Sequence, residues 1–167
     1  VGKLHFGPYG GDAGNRESLA LWKGLGDDWD WNGPYGGFEH VELTIGHTNA
    51  VAHYGRWFRA RGGTPQMRAE LPSGAREMPV ELHDSIFVGE RAAAFVRANR
   101  ARPFFLFASF PDPHHPFDPP RALAEKHQAR SLPPPIGHAG DLETRPPHYL
   151  AHFKGGWHRR GPVPEEH

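Results

Sequence analysis

The chain has 167 residues, and lysine plus arginine equal aspartate plus glutamate at 19 each, so its formal net charge is zero. No net field draws it to nucleic acid or to an anionic membrane, and its arginines form no basic stripe. It contains no cysteine, which excludes disulfides, thiolate zinc sites and cysteine nucleophiles within the chain and leaves the compartment open. No apolar run approaches the roughly 20 residues that a membrane helix needs.

The first part of the chain predicts two short strands and one helix among irregular loops. Residues 1–6 alternate like the end of a strand, whereas residues 7–37 show no period and predict a loop with one short helical turn at most. Residues 38–43 alternate apolar and polar, as a half-buried strand does. Residues 49–61 place apolar side chains at helical spacing before two glycines, which predicts a helix.

The second part predicts a longer helix followed by a strand. Residues 84–100 carry apolar side chains at helical spacing, with Asp84 or Ser85 as the cap. Residues 103–109 are almost continuously apolar, as a strand buried on both faces requires. A helix that is followed by a buried strand forms half of a βαβ crossover. We therefore predict an α/β fold with a mostly parallel sheet, flanked by helices and joined by long Gly/Pro-rich loops. Residues 122–127 predict a short amphipathic turn.

Two groups of basic side chains follow predicted strands, where ligand sites of open α/β sheets lie. His114 and His115 stand in a proline-stiffened loop after the buried strand, although a connector with imidazoles facing water is the alternative. Lys3 and His5 are two residues apart, so both point to one side of a strand. A compact cation beside an imidazole suits an oxyanion, but a solvated pair on the surface fits the sequence too.

The segments VGKLHFG, residues 1–7, and FPDPHHP, residues 110–116, resemble two signature motifs of the type I sulfatases, Gly-Lys-x-His and Pro-His-x-Pro. These enzymes belong to the alkaline-phosphatase-like superfamily, and the motifs occur in the same order there. The resemblance extends over most of residues 1–127 and more loosely through residues 146–149. It implies a partial alkaline-phosphatase-like fold and the hydrolysis of a sulfate monoester to an alcohol and sulfate. Other similar segments are residues 37–39, 82–85 and 89–91.

The resemblance also implies a role for each matching residue. Lys3 matches the lysine that binds the sulfate oxygens. His5 matches the histidine that contacts the formylglycine hydroxyl and assists elimination of sulfate. His114 matches the histidine that binds the bridging oxygen and protonates the leaving alcohol, and His115 occupies a variable position that faces the substrate or packs.

The chain departs from the family pattern at the nucleophile and at the metal. The family makes formylglycine from a Cys/Ser-x-Pro-x-Arg segment upstream, and it binds Ca²⁺ through residues near its N-terminus and far downstream; neither set is present here. We therefore expect residues 1–167 to be the central part of a sulfatase catalytic domain, inactive alone and prone to aggregate. Its partner would be a small-molecule or glycan sulfate ester. We interpret Asp12, Asp27, Asp28 and Asp30 as a solvated acidic loop rather than a calcium site.

Three alternatives remain open. A phosphodiesterase or phosphonate hydrolase of the same superfamily would use a similar oxyanion pocket. A non-catalytic metal-binding module would use some of the 13 histidines, such as His148 and His152 at i,i+4 spacing. An aromatic wall for stacking a sugar or aryl group, as opposed to ordinary buried packing, would use Trp22, Trp29, Trp31 and Tyr35.

Overall fold

A computed structural model describes residues 1–7, 15–26, 29–47, 49–69, 76–115, 117–127, 133, 136, 140–141 and 143–149. The chain divides into two compact units, Val1–Gln128 and Ala129–His167. In the second unit, the described residues form short turns, such as the one in which the Tyr149 N–H donates to Pro146 O. The interpretations placed on Asp12, Asp27, Asp28 and His152 concern positions outside the described residues. The helices that the structure describes are all too short or too polar to cross a membrane.

The described residues of the first unit include four α-helices: α1 Leu19–Leu25, α2 Ala52–Ala60, α3 Asp84–Asn99 and α4 Arg121–Ala124. Two single turns of 3-10 helix, Pro65–Arg68 and Val80–Leu82, lie in the described part of the chain between α2 and α3. Helices α2 and α3 confirm the two predicted helices. The predicted cap of α3 is wrong, because the ring of His83 caps it by accepting the Ser85 N–H at 3.2 Å.

Three segments of backbone pair in parallel at the centre of this unit. Gly2 bridges Leu43 on one side and Ser109 on the other. Its N–H donates to Glu42 O at 2.8 Å, and the Lys3 N–H donates to Ser109 O at 3.1 Å. Among the described residues the pairing consists of isolated bridges, so the mostly parallel sheet stays a prediction.

Gly2 is required where these backbones meet. It has a φ of 104°, which disfavours any side chain, and a Cβ at this position would collide with the carbonyl of Ser109. The glycine of the Gly-Lys-x-His motif therefore brings Lys3 beside the segment that leads to His114.

The apolar core consists of two clusters on either side of α2. The first joins α2 to α3 through the buried rings of Tyr54, Phe58 and Phe87, and the Tyr54 hydroxyl donates to Leu82 O at 2.9 Å. The second packs Trp22 of α1 against Leu43 and its neighbours. These clusters fix the bridged segments against the helices.

Two strand predictions are wrong in their burial. Residues 103–109 run alongside Val1 and Gly2, yet Phe104, Phe105 and Phe107 are 43%, 76% and 41% exposed, because the rings of Phe38 and Phe95 cover them only in part. Residues 41–45 are buried on both sides instead of alternating. Even Glu42 is buried, because Arg91 donates to both of its carboxylate oxygens at 2.5 and 2.9 Å. Burial would raise the pKa of Glu42, but the hydrogen bonds from Arg91 and His40 outweigh it and lower that pKa.

Candidate active site

Lys3 lies at the end of the central bridged segment and is partly buried. Burial lowers its pKa, while the nearby carboxylates of Asp84 and Glu17 oppose that shift. The ammonium group of Lys3 thus lies within electrostatic reach of Asp84, the first residue of α3. Lys3 is therefore a cation placed near the start of α3.

His5 is exposed and has a positive φ of 62°, a conformation that glycine adopts easily and other residues rarely. The buried carboxylate of Glu17 holds it there. That carboxylate accepts the backbone N–H groups of His5, Phe6 and Gly7 at 2.5, 2.7 and 2.9 Å. It also accepts the Tyr35 hydroxyl at 3.0 Å, and burial together with Glu17 raises the pKa of Tyr35 to about 12.

His114 and His115 are exposed at the end of the segment that pairs with Gly2. Their rings stack with centroids 4.3 Å apart. The Nδ1 atom of His114 lies 2.5 Å from the His115 carbonyl oxygen, so Nδ1 carries the proton and donates to it. The Nε2 atom of His114 is then the nitrogen left to meet a substrate.

A third imidazole, that of His47, lies beside this pair, with its ring centroid 6.3 Å from that of His114. Its Nε2 atom is 2.7 Å from Asp112 Oδ1, and its Nδ1 atom is 3.2 Å from Asp118 Oδ1. Asp118 is buried and also pairs with Arg76, while the Ser85 hydroxyl donates to Asp112 Oδ2 at 3.0 Å. The loop that carries His114 and His115, the histidine loop, is therefore tied to α3 and to Arg76 through Asp112 and Asp118.

His83, Asp84 and Asp112 are close enough together to be tested as a metal site. They do not fit the Ca²⁺ that the resemblance implies, because that ion takes six to eight oxygen ligands. Here the two Asp112 oxygens already face His47 and Ser85, and the Nδ1 atom of His83 accepts the Ser85 N–H. The three residues instead form part of a hydrogen-bonded and ion-paired network.

The structure brings the backbones of the two motifs together more closely than their side chains. Lys3 donates through its N–H to Ser109, five residues before His114. Within the described part of the chain, no hydrogen bond or ring contact joins the side chain of Lys3 or His5 to His114. The sequence motifs do not indicate the contacts of Glu17 with the backbone at His5 or of His47 with the histidine loop. For His47, the sequence offers as an indication the two aspartates, Asp112 and Asp118, that flank the predicted loop.

The aromatic residues proposed as a stacking wall form a packed cluster instead. Trp22, Trp29 and Trp31 surround the buried ring of His53, with centroid distances between 4.8 and 6.1 Å. Tyr35 meets Trp31 at 6.2 Å, and the guanidinium groups of Arg56 and Arg16 lie over Trp29 and Trp31. Packing therefore accounts for the four residues. His148, from the metal-module alternative, stacks on Tyr149 in the second unit.

Comparison with curated proteins relates part of the chain to a characterised superfamily. The chain is 31% identical over 84 residues to the multifunctional alkaline phosphatase superfamily protein PehA of Trinickia caryophylli. The match supports the alkaline phosphatase superfamily. It covers 47% of this chain and only 16% of that relative, so it supports a hydrolase of the superfamily without specifying a sulfatase. No family model and no solved structure matches the chain.

Proposed function

We propose that this chain is the central part of a sulfuric ester hydrolase of the alkaline phosphatase superfamily. The observation that carries the proposal is the pair of parallel bridges at Gly2. Because parallel segments end at the same edge, Lys3 and the loop that follows Ser109 emerge on one side of the molecule. The two motifs whose combination resembles the sulfatases are therefore neighbours.

The proposed roles use the charge and the hydrogen-bonding groups of three side chains. Lys3 offsets the negative charge on the sulfate oxygens, which a preorganised cation does more effectively than water. In its imidazolium form, which keeps Nδ1–H on the His115 carbonyl, His114 donates from Nε2 to the bridging oxygen and gives that proton to the departing alcohol, because alkoxides leave poorly when they are not protonated. His5 contacts the nucleophile's hydroxyl and helps release sulfate, and His115 faces the substrate or supports the ring of His114.

The nucleophile and the Ca²⁺ of this proposal belong to parts of the family pattern that residues 1–167 do not contain. A phosphodiesterase or phosphonate hydrolase remains the second candidate. The relative is described as a multifunctional protein of the superfamily, so the match does not favour one ester over another.

The test is the turnover of a sulfate monoester by the longest natural protein that contains residues 1–167. We expect Lys3→Ala and His114→Ala each to lower kcat/KM by at least about 100-fold, or roughly 2.7 kcal/mol of transition-state stabilisation. Lys23→Ala is the matched control, since Lys23 is exposed on α1. Parallel assays with a phosphodiester and a phosphonate monoester compare the candidates. Near-normal turnover of the sulfate ester by both variants would refute the roles, and preference for a phosphodiester would favour the second candidate.

A further inference from the structure

A single imidazole connects both ends of the histidine loop. The His47 ring faces Asp112, two residues before His114, through Nε2 at 2.7 Å, and Asp118, four residues after it, through Nδ1 at 3.2 Å. Its side chain is only 6% exposed. The ring also lies nearly parallel to that of His114, with an interplanar angle of 25°. His47 thus contacts the loop at three points.

The two carboxylates act on His47 in different ways. The Nε2–H group donates to Asp112 Oδ1, whereas Nδ1 and Asp118 Oδ1 lie 3.2 Å apart without forming a hydrogen bond and interact through charge. The hydrogen bond to Asp112 raises the pKa of His47, and the charges of Asp118, Asp112 and Asp84 act in the same direction against the effect of burial. The same hydrogen bond lowers the pKa of Asp112. One hydrogen bond to Asp112 and one electrostatic contact with Asp118 thus make His47 an ionic clamp.

The clamp is anchored to elements that do not belong to the loop. Asp118 is 3% exposed, and Arg76 donates to its second oxygen from Nε at 2.5 Å. Asp112 is tied to the start of α3 by the Ser85 hydroxyl. Displacing His47 would leave the carboxylates of Asp112 and Asp118 without the imidazole between them and would release the loop from one of its fixed points.

We propose that His47 is a positioning residue. It holds the histidine loop through Asp112 and Asp118 and so fixes the His114 imidazole for proton transfer to the leaving group. The inference rests on the proposed function of His114. Nothing in the sequence motifs assigns this role to His47. A misplacement of about 1 Å at a reacting group costs up to about 100-fold in rate, so a clamp of this kind has a measurable effect.

Leaving-group dependence separates positioning from general destabilisation. A sulfate ester with a good leaving group, such as 4-nitrophenyl sulfate, needs little protonation, whereas phenyl sulfate needs more. In the longest natural protein that contains this chain, we expect His47→Gln to lower kcat/KM about tenfold for phenyl sulfate and at most about threefold for 4-nitrophenyl sulfate. Equal losses for the two esters, or no loss, would overturn the proposal.

The matched control is His40→Gln. His40 also pairs with a carboxylate, Glu42, at 3.0 Å, but it stacks on Phe95 of α3 and not on the histidine loop. We expect this variant to lower the rate for both esters equally or not at all. If His47→Gln does not fold, Asp112→Asn replaces it, since the amide keeps an acceptor and removes the charge.

A second measurement tests the clamp independently of catalysis. In nitrogen-detected NMR spectra of the longest natural protein that contains this chain, the Nε2 atom of His47 should carry a proton, and Asp112→Asn should shift the ring signals of His114. A His47 ring without a proton on Nε2, or unchanged His114 signals in Asp112→Asn, would contradict the clamp. If instead the wild-type protein hydrolyses no sulfate ester, the proposed function fails while this spectrum still decides whether the clamp exists.

Discussion

Replacing Glu17 by alanine should lower the free energy of unfolding by about 3 to 5 kcal/mol, because several donors then lose a buried anionic acceptor at once. Glu17 is only 6% exposed and accepts three consecutive backbone N–H groups as well as the Tyr35 hydroxyl. Hydrogen bonds to a charged group are stronger than neutral ones, and unsatisfied backbone donors are costly. The loss is measured by urea denaturation of the two proteins.

Two further variants separate the effect of the Glu17 charge from that of its shape and provide a control. Glu17→Gln keeps one acceptor oxygen but turns an amide group toward the donors, so we expect a smaller loss, of about 2 kcal/mol. Glu39→Ala removes an exposed carboxylate and should change stability by less than about 0.5 kcal/mol. A loss below about 1 kcal/mol in Glu17→Ala would mean that water replaces the carboxylate easily. Because His5 depends on the same contact, Glu17→Ala should also disturb its ring.

His53 should make the protein sensitive to mild acid. Burial lowers its pKa from 6.5 to about 4, although the hydrogen bond to Trp31 O opposes the shift. Its Nδ1 atom accepts the Leu43 N–H at 3.1 Å, so the neutral ring carries its proton on Nε2, 2.9 Å from Trp31 O and from Asn32 Oδ1. Protonating Nδ1 would break the bond to Leu43 and place a charge among three tryptophans.

Acid destabilises the folded protein because the unfolded state binds the proton of His53 more tightly. The unfolded ring takes up a proton near pH 6.5 and the folded ring only near pH 4, so protons favour unfolding between those values. Stability from this group is fully present above pH 6.5 and should fall by about 3 kcal/mol as the pH drops to 4. Urea denaturation at several pH values measures the slope, and NMR titration of His53 measures its pKa. His127→Gln, an exposed histidine, should keep the slope; a His53 ring that titrates near 6.5 would contradict the prediction.

The helices could be predicted because their signals are local. Residues 84–100 carry a periodic apolar pattern and end before a proline, and the structure has α3 at Asp84–Asn99. The sequence predicts Asp84 or Ser85 as the cap, since these residue types cap most often. The imidazole of His83 acts instead, which depends on a ring orientation that the sequence does not encode in any simple pattern.

Burial and the site could be predicted only in part, because both depend on distant segments. An apolar run such as residues 103–109 indicates that a segment tolerates burial, whereas the structure decides whether another segment covers it. Lys3, His5 and His114 were found from motifs, and their proposed roles stay predictions. His47 contacts a residue 65 positions away, and Glu17 contacts residues 10 to 12 positions away through its side chain. Neither spacing follows a helical or strand period.

The crowding at Gly2 limits what evolution or a designer can do with this protein. A gene library randomised at that codon should return folded clones that carry glycine almost exclusively. A natural homologue with a larger residue there must hold its two backbones farther apart, and so must carry its lysine farther from the histidine loop.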